Sequence, residues 1–277
     1  MGFGINCEEE TAHALSLGGS ACEYAHFNQF FSGFKTFEEF QILVIPGGFS
    51  FGDDIQSGRV LANKFRYKLA SQLRKFIDDG KPVLGVCNGF QMLIQLGALP
   101  AFGKDWSDRP LTLMRNKSGK FEGRWVRMRT EASKCRFTRG IEYMTAPVRH
   151  GEGQVALRDM KTLEALIDGG FVALRYAGPD GLAAADYPDN PNGSADAIAG
   201  ICNEGGNVLG LMPHPECHVR YVQSMRWAAS PPNNPELRHE GFVDGFWRTL
   251  LPQGKPEDFG NSLQFWRNIA DSGKKYI

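Results

Sequence analysis

At 277 residues, with 42% hydrophobic and 22% charged side chains, the chain has the composition of an ordinary globular protein, long enough to bury a substantial core. Lysine plus arginine and aspartate plus glutamate balance at 31 each, so no nucleic-acid or membrane partner is expected. No apolar run is long enough to span a bilayer, and the first ten residues lack the basic region and apolar core of a signal peptide, which points to a cytoplasmic protein.

Taken in chain order, the first strand signal is Gln41-Ile42-Leu43-Val44-Ile45, a continuous apolar run stopped by Pro46-Gly47-Gly48. Runs that are apolar at successive positions suit strands buried on both faces, as in a parallel sheet. From Arg59 to Asp79, Val60, Leu61, Phe65, Leu69, Leu73, Phe76 and Ile77 recur at helical spacing, and Gly80 supplies a C-terminal stop. Val83 to Val86 is a second buried-strand run. It ends in Gly85-Val86-Cys87-Asn88-Gly89, and Met92, Leu93 and Leu96 then repeat as a helix would. Strand, helix, strand, helix is the alternation of a three-layer α/β fold.

The middle of the chain alternates instead. Arg124 to Arg129 and parts of Phe171 to Tyr176 read as strands with one wet face. Ala197 to Cys202, a Gly-rich connection at Asn203 to Asn207, and Val208 to Met212 read as a hairpin. Beyond Cys217, Ser230 to Pro235 reads as a loop. Phe242, Val243, Phe246, Trp247, Leu250 and Leu251 form one helical stripe, and Leu263, Trp266 and Ile269 another. These patterns predict a three-layer α/β sandwich with a mostly parallel mixed sheet, in one domain over 1–277, with 217–277 an extended C-terminal segment packed on it.

The chemistry gathers at three places. In Gly85-Val86-Cys87-Asn88-Gly89 the two glycines leave room for a sharp strand-to-helix turn that lifts Cys87 clear of the sheet. A thiol at a helix N-terminus faces unpaired N–H groups and the positive dipole end, which favour thiolate. Alone, the pattern fits a small buried cysteine equally well. Pro213-His214-Pro215-Glu216 follows the third apolar run. His214 can act as the base for Cys87 and as the acid for a leaving group, and Glu216, two residues on, can brace it; the bland alternative is a surface carboxylate. Pro46-Gly47-Gly48 can aim backbone N–H groups at a developing oxyanion, although by itself it reads best as an ordinary turn. The six cysteines show neither CxxC nor Cys/His zinc spacing, so they are expected as reduced thiols, and no metal site is expected.

With its elbow GVCNGFQ, its turn PGGFSFGD and its late PHPE, the chain resembles the class I, triad-type glutamine amidotransferases. Leu113 to Asn116, His150-Gly151-Glu152-Gly153, Pro191 to Ser194 and Gly200 to Asn203 narrow the resemblance. They point to the glutaminase subunits that serve phosphoribosylformylglycinamidine synthesis in de novo purine biosynthesis. The resemblance implies Cys87 as nucleophile, His214 as base, Glu216 as its orienting carboxylate, and backbone N–H groups of Gly48 and Asn88 as the oxyanion hole. Phe49 and Gln91 would lie by the bound glutamine. Ammonia would pass to the synthetase subunit of phosphoribosylformylglycinamidine synthase, helped by a small third subunit. ATP and Mg would belong to that partner, with no cofactor on this chain; consistently, no GxxxxGK[ST] is present. His150 is expected either to face the partner or to stabilise a turn. The alternatives are a glutaminase for another acceptor, or an idle subunit that only shapes a synthetase.

Two departures from the family pattern stand out. Members begin with a buried strand ahead of the Gly-x-Asn-Cys turn that Gly4 to Cys7 matches, and that strand is missing here. Five or six buried apolar side chains at ~1.5–3 kcal/mol each would exceed ~9 kcal/mol, comparable to a domain's whole stability. The expectation is therefore that translation starts upstream of Met1. The second departure is the segment of about sixty residues after Glu216, expected to pack on the same domain.

Overall fold

The computed structural model describes residues 7–49, 58–220, 223 and 262–277. In chain order the elements are α1 (Glu8–Gly18), α2 (Phe27–Phe31), β1 (Leu43–Ile45), α3 (Arg59–Lys68), α4 (Ala70–Asp78), β2 (Val83–Val86) and α5 (Asn88–Leu96). They continue with β3 (Leu111–Arg115), β4 (Glu122–Thr130), β5 (Tyr143–His150), β6 (Glu152–Leu157), α6 (Met160–Asp168) and β7 (Val172–Ala177). The series ends with β8 (Ile198–Cys202), β9 (Val208–Leu211) and a helix over Leu263–Lys274, here α7.

Seven strands form one mixed sheet in the order β1-β2-β9-β8-β7-β4-β5. β1, β2 and β9 run parallel, with Leu43 opposite Val83 and Val83 opposite Val208. From β9 outward every pairing is antiparallel, including the β8–β9 hairpin expected from the Gly-rich connection. The continuous apolar runs do correspond to strands buried at every position. β3 and β6 form a separate two-stranded sheet. α5 packs on β2 and β9 and against α3, and α1 packs on α7, so the fold is α/β as the alternation predicts, but the sheet is mixed rather than mostly parallel, because β4, β5, β7 and β8 add antiparallel pairings outside the parallel β1, β2 and β9.

Local differences from the sequence reading occur at Leu69 and in β7. The helical stretch from Arg59 splits into α3 and α4 at Leu69, with no proline or glycine to mark the break. Leu69 is 1% exposed and sits at φ −117° and ψ −8°, a local irregularity across which the N–H groups of Leu69 and Leu73 still donate to the carbonyls four residues back. β7 has no wet face: only Arg175 is even partly exposed, because β4 and β8 flank the strand and the Ala195–Ala197 turn packs against it.

Aromatic packing closes the end of the domain next to β1. Phe30 and Phe37 rings lie 4.8 Å apart, Phe27 and Phe65 5.5 Å, and Phe37 and Phe76 6.1 Å, all buried. The stripe Leu263, Trp266 and Ile269 is the buried face of α7, as its spacing predicts. A Cβ on Gly18 of α1 would fall 2.7 Å from the Trp266 carbonyl oxygen, so the two helices touch backbone to backbone there. Tyr276 Oη donates to the Gly80 carbonyl at 2.6 Å and ties the end of the chain to the turn after α4. No described helix is long and apolar enough to cross a membrane. The expected turn at Gly4 to Asn6, the residues Ser50 to Asp53, the loop at Ser230 to Pro235 and the stripe from Phe242 to Leu251 lie outside the described residues.

Candidate active site

Cys87 sits between β2 and α5 with φ 49° and ψ −102°. A residue with a Cβ pays strain in that region, and it is held there only where the surroundings over-determine it. Here they do. The Cys87 N–H donates to the Leu211 carbonyl at 2.8 Å, and its own carbonyl accepts from Gln91 N at 3.0 Å. The flanking glycines act as the sequence suggests. A Cβ on Gly85 would fall 2.7 Å from the Gly89 oxygen, and one on Gly89 only 2.1 Å from the Ile45 oxygen. The elbow is thus wedged between β1 and its own helix.

β9 ends three residues before His214, whose N–H donates to the Pro147 carbonyl at 2.8 Å and so fixes the strand exit against β5. Pro215 then starts a short 3-10 turn over Pro215–His218. The His-Pro-Glu segment is therefore bent, and the i, i+2 pairing is made. His214 Nδ1 and Glu216 Oε1 are 2.6 Å apart, with the two residues 2% and 1% exposed. Burial opposes the imidazolium, but the Glu216 charge and hydrogen bonding with Cys7, Cys87 and Glu216 outweigh it and hold His214 well above its usual range. One glycine shows how close the two chemical groups are. A Cβ on Gly47 would lie 2.5 Å from His214 Cε1 and 3.2 Å from the Cys87 Cβ. The Pro46-Gly47-Gly48 turn therefore lies directly against both, and only a residue without a side chain fits.

The other expected site residues surround this point. Gly48, at φ 124°, follows Gly47, and Asn88 is the first residue of α5 after Cys87. Phe49 is 40% exposed, with its ring 6.2 Å from that of Phe121 on the neighbouring surface. Gln91 is buried, and its amide is committed within the protein: Nε2 donates to the Glu152 carbonyl at 2.7 Å and Oε1 accepts from Asn88 Nδ2 at 3.1 Å. It ties the elbow helix to the turn between β5 and β6. Cys87 reaches the same turn, with Sγ 3.8 Å from the Arg149 carbonyl.

Behind that turn lies a polar network in which the sequence assigns a role only to His150. Asn116 Nδ2 donates to the carbonyls of His150 and Lys120 at 2.7 and 2.8 Å, and Asn116 Oδ1 accepts from Gly153 N at 3.1 Å. His150 Nδ1, 3.0 Å from that oxygen, must therefore carry the proton. Asn192 Nδ2 donates to Gly153 O at 2.8 Å and to Tyr176 Oη at 3.1 Å, and Ser194 Oγ donates to Asn192 Oδ1 at 2.7 Å. His150 is 1% exposed, which removes the partner-facing possibility and leaves the turn-stabilising one. Burial, helped by the charge on His214, lowers its pKa to about 4. Cys7, the N-cap of α1, belongs to the expected Gly-x-Asn-Cys turn but has no role assigned from the sequence; its Sγ lies 4.0 Å from His214 Nδ1. The two are 207 positions apart, so no local pattern relates them.

A family profile described as CobB/CobQ-like glutamine amidotransferase domain matches residues 1–242. A protein of Methanococcus maripaludis, phosphoribosylformylglycinamidine synthase subunit PurQ, is 42% identical over 271 residues, spanning 98% of this chain and 95% of the relative. The subunit of the same name from Dehalococcoides mccartyi is 42% identical over 227 residues, 82% of this chain and 86% of the relative. Among solved structures, one described as PurLQS from Thermotoga maritima aligns with TM-score 0.63 at 32% identity, covering 80% of this chain and 87% of that one.

Proposed function

The chain belongs to the CobB/CobQ-like glutamine amidotransferase family, and we propose that it is the glutaminase subunit of phosphoribosylformylglycinamidine synthase, a single-domain component working in the cytoplasm. The observation that carries the reading is the convergence of the Cys87 elbow and the buried His214–Glu216 pair on Gly47. The subunit name shared by these relatives, which match 98% and 82% of the chain, supplies the acceptor pathway.

In this reading L-glutamine enters beside Phe49, and Cys87 attacks the carbon of its side-chain amide while His214 takes the thiol proton. The oxyanion that forms is held by the N–H groups of Gly48 and Asn88. Glu216 keeps the Nδ1 proton of His214 in place, so that the far ring nitrogen carries the shuttled proton. His214 then protonates the amide nitrogen, ammonia leaves, and a glutamyl thioester remains on Cys87. Water, deprotonated by the same imidazole, attacks the thioester and releases glutamate. Gln91 and the His150 network hold the turn that borders the thiol. The ammonia passes to the synthetase subunit, which supplies ATP and Mg for converting formylglycinamide ribonucleotide to formylglycinamidine ribonucleotide; a small third subunit completes the assembly.

The test is amidine formation by this chain reconstituted with its synthetase partners, with glutamine compared against an ammonium salt. Cys87→Ala is expected to abolish the glutamine-supported reaction and leave the ammonium-supported one intact. Glutamine-supported turnover that survives in Cys87→Ala would contradict the proposal.

A further inference from the structure

We propose that Cys7, His214 and Glu216 form an inhibitory binding site for a zinc-class divalent cation, placed on the base of the triad. The inhibitory half of this inference rests on the functional reading above; the binding half does not.

One ligand atom from each of the three residues, a thiol sulfur, a ring nitrogen and a carboxylate oxygen, lies within 4.8 Å of the other two, and all three residues are buried. The donors converge on one ring nitrogen. Nδ1 of His214 faces the Glu216 carboxylate at 2.6 Å and the Cys7 sulfur at 4.0 Å. The second oxygen of Glu216, Oε2, has no hydrogen-bond partner among the described residues, although Glu216 is 1% exposed. A buried carboxylate is costly to leave partly unpartnered, and a cation bound to it would neutralise its charge there.

The dimensions are close to those of a bound ion. Zinc bonds of ~2.0–2.1 Å to nitrogen and oxygen and ~2.3 Å to sulfur, at tetrahedral angles, place nitrogen and sulfur about 3.5 Å apart and nitrogen and oxygen about 3.3 Å apart. Closing the sulfur inward from 4.0 Å and opening the carboxylate from 2.6 Å each ask for less than about 1 Å. Three protein donors leave the fourth position to water, the pattern of an open zinc site. One thiolate and one imidazole select zinc, cobalt or a similar ion and select against magnesium, which prefers an all-oxygen shell. Neighbouring Mg on a synthetase would therefore not occupy it.

Binding would silence the triad by proton bookkeeping. The metal displaces the Cys7 thiol proton and takes the Nδ1 lone pair of His214. From imidazolium, the Nδ1 proton goes to solvent; from neutral imidazole, it reappears on Nε2. Either way Nε2 is left as the N–H of a metal-bound neutral imidazole, which can neither accept the proton of Cys87 nor, as an acid far weaker than imidazolium, protonate the departing ammonia. Sequence spacing could not reveal such a site, because its ligands come from the N-cap of α1 and the exit of β9.

The experiment is a zinc titration of the full chain against a chromophoric chelator, with cobalt(II) spectra alongside. Wild type is expected to bind one ion, with a thiolate-to-cobalt charge-transfer band. Cys87→Ala should keep both properties, Cys7→Ala should lose the band and bind zinc at least tenfold more weakly, and Cys22→Ala should match wild type. Should Cys7→Ala fail to fold, Cys7→Ser and the cobalt band of Cys87→Ala decide the same question. Stoichiometric zinc should also stop glutamine-supported but not ammonium-supported synthesis in the reconstituted complex, reversibly with chelator. Absence of zinc binding by wild type, or equal affinity in Cys7→Ala, overturns the site. Full glutamine-supported activity with zinc bound overturns the inhibition. A complex with no glutamine-supported activity even in chelator overturns the functional reading and the inhibition with it, and leaves the binding arm to decide the site.

Discussion

The triad and the Asn116 network hold their polar groups in different ways. At the ends of β1, β2 and β9, Cys87 is held at a positive φ, His214 is buried against Gly47, and one oxygen of Glu216 is buried with no hydrogen-bond partner among the described residues. In the network, joined to the triad through the β5–β6 turn, Asn116, Asn192 and Ser194 have their side-chain atoms hydrogen-bonded two or more times over. Satisfied polar networks rigidify, whereas strain and unsatisfied groups persist only where something else holds them. The Asn116–Asn192–Ser194 network therefore serves as the frame, and the triad is where reactive geometry is stored. The turn from Arg149 to Gly153 couples them, touching Cys87 through one carbonyl and Gln91 through another.

If that division is right, substitutions in the two regions should fail differently. The largest effect belongs to His214→Ala, which removes the proton shuttle: glutamine-supported kcat should fall about 10³-fold, with ammonium-supported turnover unchanged in the reconstituted complex. Gly47→Ala comes next. Its Cβ would sit 2.5 Å from His214 Cε1, so the base must move, and glutamine-supported kcat should fall about 10²-fold with a near-normal urea midpoint. The frame should show the reverse pattern. Asn116→Ala leaves the His150 and Lys120 carbonyls and the Gly153 N–H unpartnered and should cost about 2–3 kcal/mol in urea unfolding, while the protein that remains folded keeps most of its kcat. Equal losses of stability and kcat in all three would erase the distinction.

The smallest effect is a slope. His150 is neutral in the folded protein down to about pH 4, whereas the unfolded chain takes up that proton near pH 6.5. The unfolded state thus binds more protons between these values, so the contribution is fully present above pH 6.5 and is lost as pH falls toward 4. His150→Asn should flatten the stability–pH curve in that window by up to about 1.4 kcal/mol per pH unit relative to wild type. An unchanged slope would mean that His150 is not buried as a neutral group.

Much of the reactive region was legible because local rules govern it. Continuous apolar runs announced β1, β2 and β9, two glycines announced the elbow, and proline-bounded His214 and Glu216 were paired by their spacing. The stripe that became the buried face of α7 was legible for the same reason. What stayed hidden depends on contacts distant in sequence. The irregularity at Leu69 has no proline or glycine to mark it, and the burial of β7 comes from its neighbours in the sheet. The roles of Asn116, His150, Asn192 and Ser194 exist only once four separate segments meet. Cys7 reaches His214 across the whole fold.

The central claim is that Cys87 is the thiol that attacks glutamine. The most direct measurement is peptide-level mass analysis of the reconstituted complex after exposure to a diazoketone analogue of glutamine. A single adduct is expected on Cys87, suppressed by excess glutamine and lost in His214→Ala, with the other five cysteines unmodified. Labelling of another cysteine that glutamine protects, with Cys87 left free, would contradict it.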